Sequence, residues 1–157
     1  MTLGRRGLFS AGLTLLAAPA AAVAGGLPRV QVWRDANCGC CGAWVEHMRT
    51  AGFAVEDNVV GSVAAARRAL GTPADLLSCH AALVDRYVLE GHVPAVAVKR
   101  LLATRPPGVR GLSVPAMPLG SPGMEMPGAA PDTYDVIAFD GTGGRMSFMR
   151  FRGGEPA

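Results

Sequence analysis

Three cysteines stand within four positions, Cys38, Cys40 and Cys41, and the fourth, Cys79, sits beside His80 far along the chain. That distribution constrains the fold more than any other feature. Neighbours such as Cys40 and Cys41 cannot easily pair, because a disulfide wants Cα atoms roughly 4.4–6.8 Å apart with suitably aimed Cβ vectors. At most Cys38 pairs locally with Cys41, or one of the trio reaches Cys79. So dense a thiol cluster suits a soft metal ion or a redox cycle better than simple cross-linking.

The first residues read as a leader. Arg5 and Arg6 precede an Ala/Leu-rich run that closes on Ala22-Val23-Ala24, an A-x-A cleavage pattern. The run is too short to span a bilayer, so no membrane span is expected in the mature chain. The paired arginines point to the twin-arginine route, although Gly4 before them and the order Leu8-Phe9 depart from its usual motif. Residues 1–24 are thus expected to be removed, leaving residues 25–157 as one exported, periplasmic domain. Export would place the cysteines in an oxidising compartment. The whole chain carries 15 basic and 12 acidic residues. Without Arg5 and Arg6 the net charge falls to about +1, with no basic stripe, which excludes a nucleic-acid footprint.

Past the leader, strands and helices alternate. Val30-Gln31-Val32-Trp33 is a β-branched and aromatic strand, and Asp35-Ala36-Asn37 a turn with cap-forming residues. From Cys41, the apolar positions Cys41, Trp44, Val45 and Met48 fall at helical spacing, and Gly52 closes that helix. Phe53-Ala54-Val55 begins a second strand, and Val63 to Leu70 is a second helix ended by Gly71-Thr72-Pro73. Ala81 to Val84 and Tyr87 to Glu90 form a hairpin about Asp85-Arg86. Pro94 precedes a third helix, Ala95 to Ala103, which Arg105-Pro106-Pro107 stops. Residues Gly108 to Pro131, rich in Gly, Pro and Met, read as an ordered loop packed on the domain. Tyr134 to Asp140 and Met146 to Phe151 make a C-terminal hairpin. The order implies an α/β, thioredoxin-like fold with a central mixed sheet and flanking helices. In that architecture the trio sits at the amino end of the first helix, where free N–H groups favour thiolate.

The donors then fall into place. Cys38 and Cys41 form a C-x-x-C pair with Cys40 inside it, and Cys79 lies on a loop expected to face them. Zinc sites usually offer two separated pairs of ligands, and iron–sulfur spacings differ from this one. Bunched thiolates can bridge several ions, which suits Cu(I); zinc is the alternative. Met117 and Met124, in the irregular Met-rich loop, are candidate thioether ligands. His80, beside Cys79, and His92 are candidate additional ligands, and His92 is equally a candidate cap of the third helix. His47, six residues past Cys41, is a candidate supporting or core histidine. No Ser-His-Asp arrangement or phosphate-cradling loop stands out.

Four ordered motifs carry a resemblance: Asn37-Cys38-Gly39-Cys40-Cys41-Gly42-Ala43-Trp44, Ser78-Cys79-His80, Glu90-Gly91-His92-Val93-Pro94, and Met117-Pro118-Leu119-Gly120-Ser121-Pro122-Gly123-Met124-Glu125. They resemble the CopG-like family of small exported bacterial CxCC proteins, formerly a domain of unknown function and associated with copper resistance. The resemblance spans about Val30 to Asp140. It implies a thioredoxin-like fold and a cysteine-bound copper site, with Cys38, Cys40, Cys41 and Cys79 as thiolate ligands of one or several copper ions. Ordinary thioredoxins carry a proline just before the strand that begins here at Ala81, whereas Ser78-Cys79-His80 stands there, which weighs against disulfide exchange. The expectation is a periplasmic protein that sequesters, relays or changes the oxidation state of copper, Cu(I) or Cu(II), with other periplasmic copper-handling proteins as candidate partners. The alternative is a thiol–disulfide oxidoreductase using Cys38 and Cys41.

Overall fold

In the computed structural model, which describes residues 26–157, strand β1 (Val30–Asp35) turns Val30 and Val32 fully inward. The predicted leader lies outside the described residues. The Asp35 carboxylate accepts the Asn37 N–H and closes the turn into helix α1 (Gly39–Thr50). Cys41, Trp44, Val45 and Met48 form its buried stripe, as the spacing predicts. The helix begins two residues earlier than the apolar pattern does, with Cys38 at its N-cap. Strand β2 (Val55–Val60), helix α2 (Ala64–Leu70) and a 3₁₀ turn (Ala74–Leu76) follow. Strands β3 (Ala81–Val84) and β4 (Tyr87–Glu90) are the expected hairpin, its turn made by Asp85 at φ +53°. Helix α3 (Ala95–Thr104) starts directly after Pro94.

Residues 108–131 require a correction. The sequence presents them as an ordered loop, yet Gly111–Ser113 forms β5, paired parallel to β4. Three residues, all buried, give no polar–apolar alternation to read. The remaining segment, 114–132, is a strap. The C-terminal hairpin is present as β6 (Thr133–Phe139) and β7 (Arg145–Arg152), and a two-residue β8 (Glu155–Pro156) adds an edge the sequence does not signal.

All eight strands form one mixed sheet of order β2-β1-β3-β4-β5-β6-β7-β8. The β1–β2 and β4–β5 pairs are parallel and the others antiparallel. Alternate residues of a strand face opposite sides, and the two apolar clusters follow that rule. Ala82, Val84, Tyr87 and Leu89 pack with Trp44, Val45 and Met48 of α1 and Val98 and Leu101 of α3. Val88 joins Leu76 and Phe139 in a smaller cluster, with Leu70 and Leu83 against it. No helix among the described residues is long and apolar enough to cross a membrane.

Candidate metal centre

The strand directions gather the site. Ala81 pairs antiparallel with Trp33, so the loop before β3 lies beside the carboxyl end of β1, where α1 begins. Glu90 pairs with Ala81 and in parallel with Ser113, so the segments after β4 and β5 emerge at the same end. Carboxyl ends of strands are where open α/β sheets place their ligands.

The four sulfurs of Cys38, Cys40, Cys41 and Cys79 lie within 4.8 Å of one another. Cys38 and Cys41, one helical turn apart, are joined as a disulfide with Cα atoms 5.3 Å apart. Cys40 and Cys79 are free and half-buried. Cys40 Sγ stands 3.5 Å from Cys38 Sγ.

Two histidines meet Cys79. His92 Nε2 is 2.8 Å from its sulfur, and His92 Nδ1 is 2.8 Å from the Pro122 carbonyl oxygen. A carbonyl only accepts, so Nδ1 carries the hydrogen and Nε2 turns its lone pair to the sulfur. His80 Nδ1 is 3.4 Å from the same sulfur. Its ring packs between Trp44, with centroids 4.4 Å apart, and the edge of His92. His80 Nε2 is buried with no hydrogen-bond partner among the described residues. Cys79, His80 and His92 offer ligand atoms within 4.8 Å of one another.

His92 therefore approaches the cluster, and it is His47 that takes the start of α3, its Nε2 accepting the Ala95 N–H at 3.0 Å. Trp44 braces the same corner by donating Nε1–H to the Val93 carbonyl at 2.9 Å. Met117 and Met124 both lie on the strap, the first exposed and the second half-buried. The strap rests on the first two turns of α1: a Cβ at Gly123 would stand 2.7 Å from the Cys40 carbonyl oxygen and 2.8 Å from the Trp44 nitrogen. The Pro122 carbonyl is a functional group that sequence reasoning missed, since a backbone atom leaves no residue-type signal.

Burial sets the protonation states. It holds His80 well below the usual histidine range, with the neighbouring His92 adding to the effect. It lowers His92 too, against the raising influence of the Pro122 carbonyl, and it lowers His47. All three are neutral imidazoles at pH 7, the form that ligates metals. Burial, then the charge of Cys40, pushes the Cys79 thiol up to about 12. A metal ion at this sulfur must therefore displace a proton. The donor set, soft sulfur with neutral imidazole, fits Cu(I). His80 Nδ1, 3.4 Å from the Cys79 sulfur, stands where it could ligate as well. In the disulfide state Cys38 and Cys41 are not thiolates, so reduction is needed before all four sulfurs can ligate.

Comparison with known proteins points the same way. The family model described as "Protein of unknown function, DUF411" matches residues 76–124, which hold Cys79, His80, His92 and part of the strap. A solved structure of the copper resistance protein CopG, form 1, is 38% identical, with a TM-score of 0.74, covering 81% of this chain and 99% of its own. Form 2 is 37% identical, with the same TM-score, over 80% and 98%. No curated protein matches.

Proposed function

This chain belongs to the CopG family of copper resistance proteins, and from that premise we propose that it holds Cu(I) in copper resistance, at Cys38, Cys40, Cys41 and Cys79. One observation carries the reading: sulfurs from the start of α1 and from the loop before β3 converge within 4.8 Å. Thiolates this close can bridge more than one ion, which favours a multi-copper cluster. His92 and His80 would complete it with nitrogen, and Met117 and Met124 would offer thioethers from the strap. His47 serves α3 and not the metal. The leader motif supports a periplasmic protein, exported by the twin-arginine route, whose residues 25–157 act as one domain. The order β2-β1-β3-β4, with one parallel and two antiparallel pairs, supports reading its first half as thioredoxin-like.

A second reading rests on the disulfide itself. Cys38 is half-buried and Cys41 fully buried, so an incoming thiolate meets Cys38 first. Attack there would release Cys41 as a thiolate, and a second partner thiol would complete a two-electron reduction. That is thiol–disulfide oxidoreductase chemistry, in which Cys40 has no assigned part.

Titration of the reduced protein with Cu(I) against a moderate-affinity Cu(I) chelator tests the leading reading. Retention of copper is expected, and full surrender to the chelator ends it. Cys40→Ser separates the two readings. A thiolate cluster loses copper, whereas an oxidoreductase keeps its insulin-reduction rate. Stoichiometric zinc in protein purified without copper would point to zinc instead.

A further inference from the structure

Glu90 ends β4 with its side chain fully buried, in a strand otherwise made of Tyr87, Val88 and Leu89. A buried carboxylate carries a desolvation cost that an apolar side chain of the same size avoids. What it touches explains its presence. Arg67, reaching in from α2, donates Nη2–H to Glu90 Oε1 at 2.7 Å and Nε–H to the same carboxylate at 3.1 Å and 3.3 Å. Glu90 Oε1 also accepts the Ser78 N–H at 2.9 Å, and Arg67 Nη2 donates to the Ser78 carbonyl. Both backbone polar groups of Ser78 are thus held by one ion pair.

Ser78 is the residue before Cys79. On the other side of Cys79, the His80 carbonyl accepts the Gly91 N–H at 2.9 Å. Gly91 stands at φ +72°, where a Cβ would fall 2.4 Å from Ser78 Oγ. The Ser78 hydroxyl donates to the Ala116 carbonyl, which ties the same loop to the strap. The loop that delivers the fourth sulfur is therefore fixed from both flanks. Helix α2 has no fully buried residue; Leu70 packs partly buried against the Leu76, Val88 and Phe139 cluster, and the Arg67 fork ties the helix to the Cys79 loop.

We propose that Arg67 and Glu90 are positioning residues that set Cys79 against the sulfurs of α1. The proposal rests on reading the four sulfurs as one site. The guanidinium is suited to this because its planar fork can serve the carboxylate and the Ser78 carbonyl together, whereas a lysine ammonium supplies a point charge without that geometry.

The test uses the oxidised protein, with the Cys38–Cys41 disulfide intact and Cys40 as an internal reference. Iodoacetamide alkylation of Cys79 and Cys40 is followed by peptide mass spectrometry in wild type, Arg67→Lys, and the paired variant Arg67→Met with Glu90→Met. In both variants the ratio of Cys79 to Cys40 alkylation rates is expected to rise about tenfold, the factor given by losing one charge-assisted hydrogen bond of the loop. The near-ultraviolet thiolate-to-Cu(I) band of the reduced variants is expected to fall at the same time. A purely structural role would raise both cysteines' rates together with a fall in melting temperature. That pattern, or an unchanged ratio in folded protein, overturns the proposal. If the paired variant does not fold, the ratio in Arg67→Lys decides alone. Loss of copper binding by the wild type would sink the copper reading, while the alkylation ratio would still judge the clamp.

Discussion

Replacing Gly123 by alanine should lift the strap off α1 and loosen His92. Gly123 has φ +89°, a left-handed conformation that costs an L-residue about 1–2 kcal/mol. Its new Cβ would also stand 2.7 Å from the Cys40 carbonyl oxygen and 2.8 Å from the Trp44 nitrogen. Both are backbone atoms in the first two turns of a helix and cannot swing aside. Overpacking of this kind costs about 1–3 kcal/mol. The strap can relieve the clash by moving, but the neighbouring Pro122 carbonyl then leaves His92 Nδ1, at a cost of about 1 kcal/mol. The backbone strain plus whichever of these two costs is paid comes to about 2–5 kcal/mol, a melting-temperature drop on the order of 10 °C for a domain of this size. Gly128→Ala is the control: its φ of +79° brings similar strain, but nothing lies within 4 Å of the added Cβ. Thermal unfolding by circular dichroism compares the two, and the His92 ring resonances report the lost Pro122 contact. Equal melting temperatures for the two variants, with His92 unmoved, would refute the close packing of strap on helix.

Acidity and one bracing residue give further checks. His47, His80 and His92 all have folded values below the ordinary one, so the unfolded chain binds more protons once pH falls below about 6.5. Their stabilisation is complete above that pH and is lost on acidification, by at most about 1.4 kcal/mol per pH unit for each group. Cys79, raised to about 12, works the other way: its contribution is lost as pH rises beyond the unfolded thiol value of about 8.5. Glu90, raised by burial, opposes the histidines between its unfolded value and neutrality, but as one group against three, so urea midpoints of the metal-free oxidised protein should peak between roughly pH 7 and 8.5, and a midpoint that climbs from neutrality down to pH 5 would contradict the assignment. Trp44→Phe removes the donor to the Val93 carbonyl and should cost about 1–3 kcal/mol in the same assay; no loss would mean that water replaces the indole.

The sequence shows the parts of this molecule that repeat or alternate. The Cys41, Trp44, Val45 and Met48 stripe appears because helical spacing marks a buried face, while Gly39 and Cys40 ahead of it carry no such mark, so the helix start is not legible. The meeting of Cys79 with the trio follows from strand order, because β3 runs antiparallel beside β1. The middle strand Gly111–Ser113 escapes because three residues buried on both faces show no period. His92 stays ambiguous in sequence because its role depends on where the Pro122 carbonyl comes to lie. His47 turns to α3 because the two helices pack on the same face of the sheet, a tertiary fact. The Arg67–Glu90 pair joins residues 23 positions apart on different elements, beyond any local pattern. Glu90, a charge closing an apolar strand, is the one local hint of it.

The copper and disulfide readings draw on the same atoms, and that overlap has a measurable consequence. With Cys38 and Cys41 joined, the sulfurs left as thiols are Cys40 and Cys79. Two electrons and two protons convert the disulfide to two thiols and complete the four-sulfur set. On the proposed reading, Cu(I) binds this reduced form in preference to the oxidised one, so it stabilises the dithiol by mass action. The linkage is reciprocal: whatever reduction does for copper affinity, copper does for the ease of reduction. For a two-electron couple each tenfold preference raises the potential by about 30 mV, so Cu(I) at a thousand times its dissociation constant should raise it by about 90 mV. Equilibration of the protein with glutathione buffers, with and without buffered Cu(I), measures the shift by thiol trapping. In Cys40→Ser, where the disulfide is intact but one ligand is gone, the shift should shrink. A potential that ignores copper in the wild type would mean that Cys38 and Cys41 do not ligate the metal, leaving them to a separate disulfide chemistry beside it.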